Sequence, residues 1–80
     1  MSELFTSLAR LPTGTKCKVT SILSTGNNKR RMLDLGIICN TDIEVLQKSP
    51  YGDPTAYFIR GAVIALREED AKKIIVRLSE

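Results

Sequence analysis

Thr55-Ala56-Tyr57-Phe58-Ile59-Arg60-Gly61-Ala62-Val63-Ile64-Ala65-Leu66 contains two runs rich in apolar, β-branched and aromatic residues, Thr55 to Ile59 and Ala62 to Leu66, on either side of Arg60-Gly61. A two-residue connection containing glycine between such runs predicts a tight β-hairpin. Before it, Asp42 to Gln47 sets Ile43 and Val45 against Glu44 and Leu46, the period of a strand. Further back, Lys16 to Leu23 alternates Lys16, Lys18 and Thr20 with Cys17, Val19 and Ser21. This predicts a half-buried strand with a basic outer face. After the hairpin, Arg67 to Lys73 reads as a helical turn and Ile74 to Leu78 as a β-branched final strand.

Two more helical stretches lie in the first half. Thr6 is placed to cap a short turn over Ser7 to Arg10, stopped by Leu11-Pro12-Thr13-Gly14. Thr25-Gly26-Asn27-Asn28 is a turn and capping cluster, followed by a helix over Lys29 to Leu35 and by Gly36, suited to a left-handed terminator. Met32 and Leu35 share a face that Leu33 widens, so this stripe should close over a core, with one of the three left as a shallow apolar contact.

The tally is about five short strands and one or two small helices, a mainly β pattern. So short a sheet can hardly cover its edges with helices, and closing on itself is the alternative. The expected fold is a small SH3-like β-barrel forming one domain over residues 1–80, the 80 residues showing no repeat or linker.

Composition excludes several function classes. There is no histidine, which removes the commonest general base and nitrogen metal ligand. Cys17 and Cys39 supply half of a thiolate zinc site and are expected to be free, half-buried thiols. Glu68, Glu69 and Asp70 are consecutive, so on a helix their side chains diverge by about 100° each and form an acidic first turn instead of a cation site. Neither G-x-G-x-x-G nor G-x-x-x-x-G-K-[ST] occurs. No apolar run approaches the roughly 20 residues of a membrane span, and Glu3 and Arg10 interrupt any leader-like stretch. The expectation is a cytoplasmic, non-enzymatic protein with no cofactor or metal, whose function lies in a binding surface.

Two segments narrow the field: Lys29-Arg30-Arg31-Met32-Leu33-Asp34-Leu35-Gly36-Ile37 and Pro50-Tyr51-Gly52-Asp53-Pro54. In this order they resemble the FeoA family, small cytosolic components of bacterial ferrous iron uptake, in which a basic R-x-x-L-L-x-L-G helix precedes a P-x-G-D-P loop. Ile64-Ala65-Leu66-Arg67 with the acid-rich turn after it is similar to that family's penultimate strand and helix, so the likeness runs from Thr6 to Val76. Cys39-Asn40 stands where the family more often has Pro-Gly, and asparagine tolerates the left-handed geometry such a turn needs. The resemblance implies an SH3-like barrel and a partner, the FeoB membrane transporter, bound and modulated through its cytosolic GTPase domain.

Charge is uneven, with six basic and two acidic residues in positions 1–40 against six and seven in positions 41–80. Lys29, Arg30 and Arg31 would crowd the amino-terminal end of a helix starting at Lys29, against its dipole. They form either a solvated face, with Arg30 and Asp34 as an i, i+4 pair, or a surface that grips an acidic partner. Tyr51 either presents its ring to a partner or folds back over one barrel mouth. The partner-binding set is Lys29, Arg30, Arg31, Leu33, Tyr51 and Asp53. The rival readings are a small basic barrel binding nucleic acid through the Lys16 and Lys18 face, and a relative of the carboxyl-terminal barrel of iron-dependent repressors. With four aromatics and a net charge of +3, nucleic acid is not the expected partner.

Overall fold

In the computed structural model, residues 5–78 are described, and Glu3 lies outside them. The elements run β1 (Phe5–Ser7), a 3-10 turn (Leu8–Arg10), β2 (Lys16–Ile22), α1 (Gly26–Asp34), β3 (Asp42–Lys48), β4 (Thr55–Ile59), β5 (Ala62–Leu66), α2 (Glu68–Ala71) and β6 (Ile74–Leu78). All the strands join one antiparallel sheet in the order β1-β6-β2-β3-β4-β5. The predicted hairpin is there: Ile59 pairs with Ala62, and the two turn residues have φ of 51° (Arg60) and 84° (Gly61), the paired left-handed geometry that suits strand twist.

Strand alternation holds where expected and lapses at two bulges. Cys17, Val19, Ile43, Val45, Tyr57, Ile59, Ile74 and Val76 face one core, joined by Leu8, Leu11, Met32, Ile37, Leu66 and Ala71. Pairing register shifts between Val19 and Ser21 and again between Val45 and Gln47. Each extra residue bends its strand and tightens the twist, which lets so short a sheet curl around a single core. The first bulge is also why Ser21 is exposed and does not continue the buried row of Cys17 and Val19. The result is the expected mainly β, SH3-like arrangement, a curled sheet whose margins, β1 and β5, do not pair with each other among the described residues.

Several local expectations change. β1 has no sequence period because it is only three residues long, and it forms because β6 offers it an edge, with Thr6 opposite Val76. The cap of the 3-10 turn is therefore Ser7, whose hydroxyl accepts from the Ala9 N–H at 3.3 Å and donates to the Lys72 carbonyl at 2.9 Å. The basic face of β2 is balanced in the sheet: Lys18 Nζ lies 2.7 Å from Asp42 Oδ1, and Lys16 stands opposite Glu44. Both cysteines are free, but Cys17 is buried and Cys39 exposed instead of each being half-buried.

The first helix starts at Gly26, three residues before the expected Lys29, because Thr25 takes the extended geometry of an N-cap. Its other end is as the sequence implies. Gly36 has φ 86°, its N–H donates to the Leu33 carbonyl at 2.9 Å, and the Ile37 N–H donates to the Met32 carbonyl at 3.0 Å. This paired closure brings two fully buried side chains, Met32 and Ile37, to the same helix end. Leu33 is 45% exposed, the most exposed apolar side chain of the three. The turn that follows forms without glycine: Asn40 has φ 71°, and its N–H donates to the Val19 carbonyl at 2.7 Å.

Candidate functional site

The single turn of α2 ties together the two sequence segments singled out above. Arg67, its N-cap, makes no side-chain cap bond, and the missing acceptor comes from the 49–54 loop: Asp53 Oδ1 accepts from the Glu68 N–H at 2.9 Å. Two residues on, Asp70 Oδ2 lies 2.6 Å from Arg31 Nη2 of α1. The loop and the basic helix, about 20 residues apart in sequence, are thereby fixed to one short helix. Asp53 and Arg31 both spend their side chains on this arrangement.

The loop is built to hold its shape. The Ser49 N–H donates to the Pro54 carbonyl at 3.0 Å, the Gly52 N–H to the Ser49 carbonyl at 2.8 Å, and the Ser49 hydroxyl to the Asp53 carbonyl at 2.8 Å. The Asp53–Pro54 peptide is cis. Tyr51 sits at the tip, 95% exposed, so it does not cover a barrel mouth. A fully presented aromatic ring on a hydrogen-bonded loop is a low-entropy contact group.

Between α1 and α2 lies a polar cleft of about 310 Å³ lined by Asn28, Arg31, Arg67, Glu69, Asp70, Lys72 and Lys73. Four cations against two carboxylates make it net basic, and Lys29 and Arg30, beside Arg31 on α1, are exposed. Arg67, Lys72 and Lys73 were not singled out by the sequence, since nothing local connects them to Arg31. No ion pair joins Arg30 to Asp34 among the described residues, and Arg31 reaches across to α2 instead. Because α1 begins at Gly26, Lys29 and Arg30 lie mid-helix and Arg31 in the last turn, so the helix dipole does not oppose them as a start at Lys29 would imply.

A second groove, about 500 Å³, runs over Lys16, Cys17, Asp42, Ile43, Glu44, Phe58, Arg60 and Gly61. Its charges balance. The Cys17 thiol donates to the Ile43 carbonyl at 3.6 Å, and burial, with a smaller push from the Asp42 carboxylate, raises its pKa to about 11. It stays a thiol at neutral pH and is a poor nucleophile or metal ligand. Burial likewise raises the pKa of the Tyr57 phenol. Among the described residues no three His, Cys, Asp or Glu side chains converge as a metal site, and no helix is long and apolar enough to cross a membrane.

Comparison with known proteins agrees with this architecture. Over 71 residues the chain is 35% identical to an Fe(2+) transport protein A/Fe(2+) transporter FeoB fusion protein of Porphyromonas gingivalis; the match takes in 89% of this chain and 8% of that much longer one. The solution structure of a FeoA-like protein from Clostridium acetobutylicum superposes with a TM-score of 0.89 at 32% identity, covering 100% of this chain and 92% of that one. The FeoA of Stenotrophomonas maltophilia, a prokaryotic SH3-domain protein solved with zinc, gives a TM-score of 0.77 at 27% identity over 88% of this chain and 87% of its own. The fold alone is shared with a manganese-dependent transcriptional repressor, at 19% identity and a TM-score of 0.87, over 99% of this chain and 44% of the repressor. The family model of the FeoA domain matches residues 6–78, nearly the whole sequence, and the chain belongs to the FeoA family.

Proposed function

We propose that this protein is a cytoplasmic, non-enzymatic accessory of ferrous iron uptake that binds the cytosolic GTPase domain of an FeoB-like membrane transporter and modulates it. The observation that supports the proposal is the tie through α2, which holds the basic helix and the Tyr51 loop to one short helix. The choice of partner is supported by the Porphyromonas gingivalis relative, in which FeoA and FeoB are parts of one polypeptide.

Lys29 and Arg30 supply exposed positive charge to steer an acidic surface, Leu33 and Tyr51 supply apolar contact, and Arg31 and Asp53 hold the elements in place. An allosteric effect of ordinary size, about 1–3 kcal/mol of coupling, changes a partner's activity about 5- to 150-fold. The test is a titration of the full chain against the transporter's GTPase domain. Lys29→Glu/Arg30→Glu and Tyr51→Ala should each weaken binding at least about tenfold, which is about 1.4 kcal/mol, with urea stability unchanged. Unchanged affinity in both variants refutes the surface, and no binding by the wild type refutes the partnership.

A further inference from the structure

β5 is the last strand of the sheet, and no strand among the described residues pairs with its outer side. In a two-residue hairpin the closing pair, here Ile59 and Ala62, exchanges hydrogen bonds, and bonded and non-bonded pairs then alternate. Ala62, Ile64 and Leu66 therefore direct their backbone N–H and C=O groups to β4. Val63 and Ala65 direct theirs off the sheet edge. Both residues are exposed, Val63 at 66%.

Soluble proteins usually blunt such an edge with a lysine, a proline or an inward charge. The β5 sequence, Ala62-Val63-Ile64-Ala65-Leu66, has none of these. Its charges lie only at its ends. Arg60 precedes it, while exposed Arg67, Glu68 and Glu69 follow it with a net negative charge.

From this we infer that β5 is a self-association edge, pairing antiparallel with β5 of a second copy of this chain about a two-fold axis at Ile64. That register sets Val63 opposite the partner's Ala65 and Ala65 opposite the partner's Val63. Each outward residue then both donates and accepts a backbone hydrogen bond. The two-fold also brings the Arg60 end of each strand to the acidic end of the other, a complementarity that a parallel pairing would lose. No like charges meet along the strands themselves. The small contact, well short of the roughly 1,600 Å² of a standard interface, makes this a weak, concentration-dependent dimer with a Kd on the order of 0.1–1 mM.

The experiment is sedimentation equilibrium of the full chain up to about 2 mM, combined with amide hydrogen exchange at each concentration. The expected result is a dimer at the upper end, with exchange at Val63 and Ala65 slowing as it forms while Ile64 and Leu66, already bonded to β4, do not change. Val63→Lys places a charge on the exposed edge without touching the core and should weaken dimerisation at least tenfold. Ala65→Pro removes an outward N–H that β4 does not use and should do the same, and its fold is checked by exchange at Ile64. A monomer throughout the range overturns the inference. So does a dimer that neither variant weakens, or one that leaves the Val63 and Ala65 amides exchanging freely. The α1–α2 surface is untouched by these variants, so the outcome is independent of transporter binding.

Discussion

Severing the link between Arg31 and Asp70 should cost very different amounts from its two ends. The guanidinium side chain is 55% exposed and the carboxylate only 10%, at a separation of 2.6 Å. Two unit charges about 4 Å apart attract by about 4 kcal/mol at an effective dielectric of 20, and withdrawing the carboxylate from water cancels much of this. Arg31→Met leaves a nearly buried carboxylate without its counter-charge and should destabilise the chain by about 2–4 kcal/mol. Asp70→Asn leaves an arginine that turns to solvent and an amide that still accepts a hydrogen bond, so about 1 kcal/mol should be lost. The double variant should fall short of the sum by about 1–2 kcal/mol. Urea titration followed by far-ultraviolet circular dichroism is the suitable assay, since guanidinium salt would screen the pair being measured. Equal costs from the two ends, or a coupling below about 0.3 kcal/mol, would show that the contact does not hold α1 to α2.

Gly36→Ala should cost about 1–2 kcal/mol for its left-handed backbone alone, and the added methyl would lie 2.7 Å from Arg60 Cδ, so the arginine stem must move as well. Adding Arg60→Ala should recover only the steric part; a loss below about 0.5 kcal/mol in Gly36→Ala by urea titration would contradict this. Cys39 should react with a thiol reagent in the native protein while Cys17 reacts only on unfolding; two fast thiols at pH 8 would refute its burial. The Cys17 pKa of about 11 exceeds the ordinary 9.0, so the unfolded chain loses this proton first as pH rises. The resulting stability, about 2–3 kcal/mol at most, is complete below pH 9 and lost between about pH 9 and 11, and Cys17→Ala should flatten that part of the stability profile.

The strands were legible because each carries a short-range period: Ile43 and Val45, Ile74 and Val76, and the Arg60-Gly61 turn all announce themselves within a few residues. β1 was not, because three residues hold no period and Phe5–Ser7 is a strand only by virtue of β6. Bulges at Thr20 and Leu46 follow from pairing between strands, which a single strand does not encode. The true start of α1 is hidden in the sequence because Gly26, Asn27 and Asn28 are poor helix formers, yet they lie within its first turn. With the start at Gly26, the dipole penalty that a start at Lys29 implies for its cations does not arise. The candidate surface was half legible. Lys29, Arg30 and Tyr51 could be picked out by residue type, whereas the roles of Arg31 and Asp53 depend on Asp70 and Glu68, contacts that sequence distance conceals.

Phe5 and Arg77 are paired neighbours at the start of β1 and the end of β6, and the Ser7 hydroxyl pins the entering strand to Lys72. Entry and exit thus share one corner of the molecule, at the opposite margin of the sheet from β5. A tether fused directly before Phe5 or after Leu78 would leave from that corner, so the domain would swing about a single pivot. Linking Leu78 to Phe5 by a few residues and reopening the chain at the Tyr51 tip would preserve every described strand pairing, which makes the fold a natural subject for circular permutation.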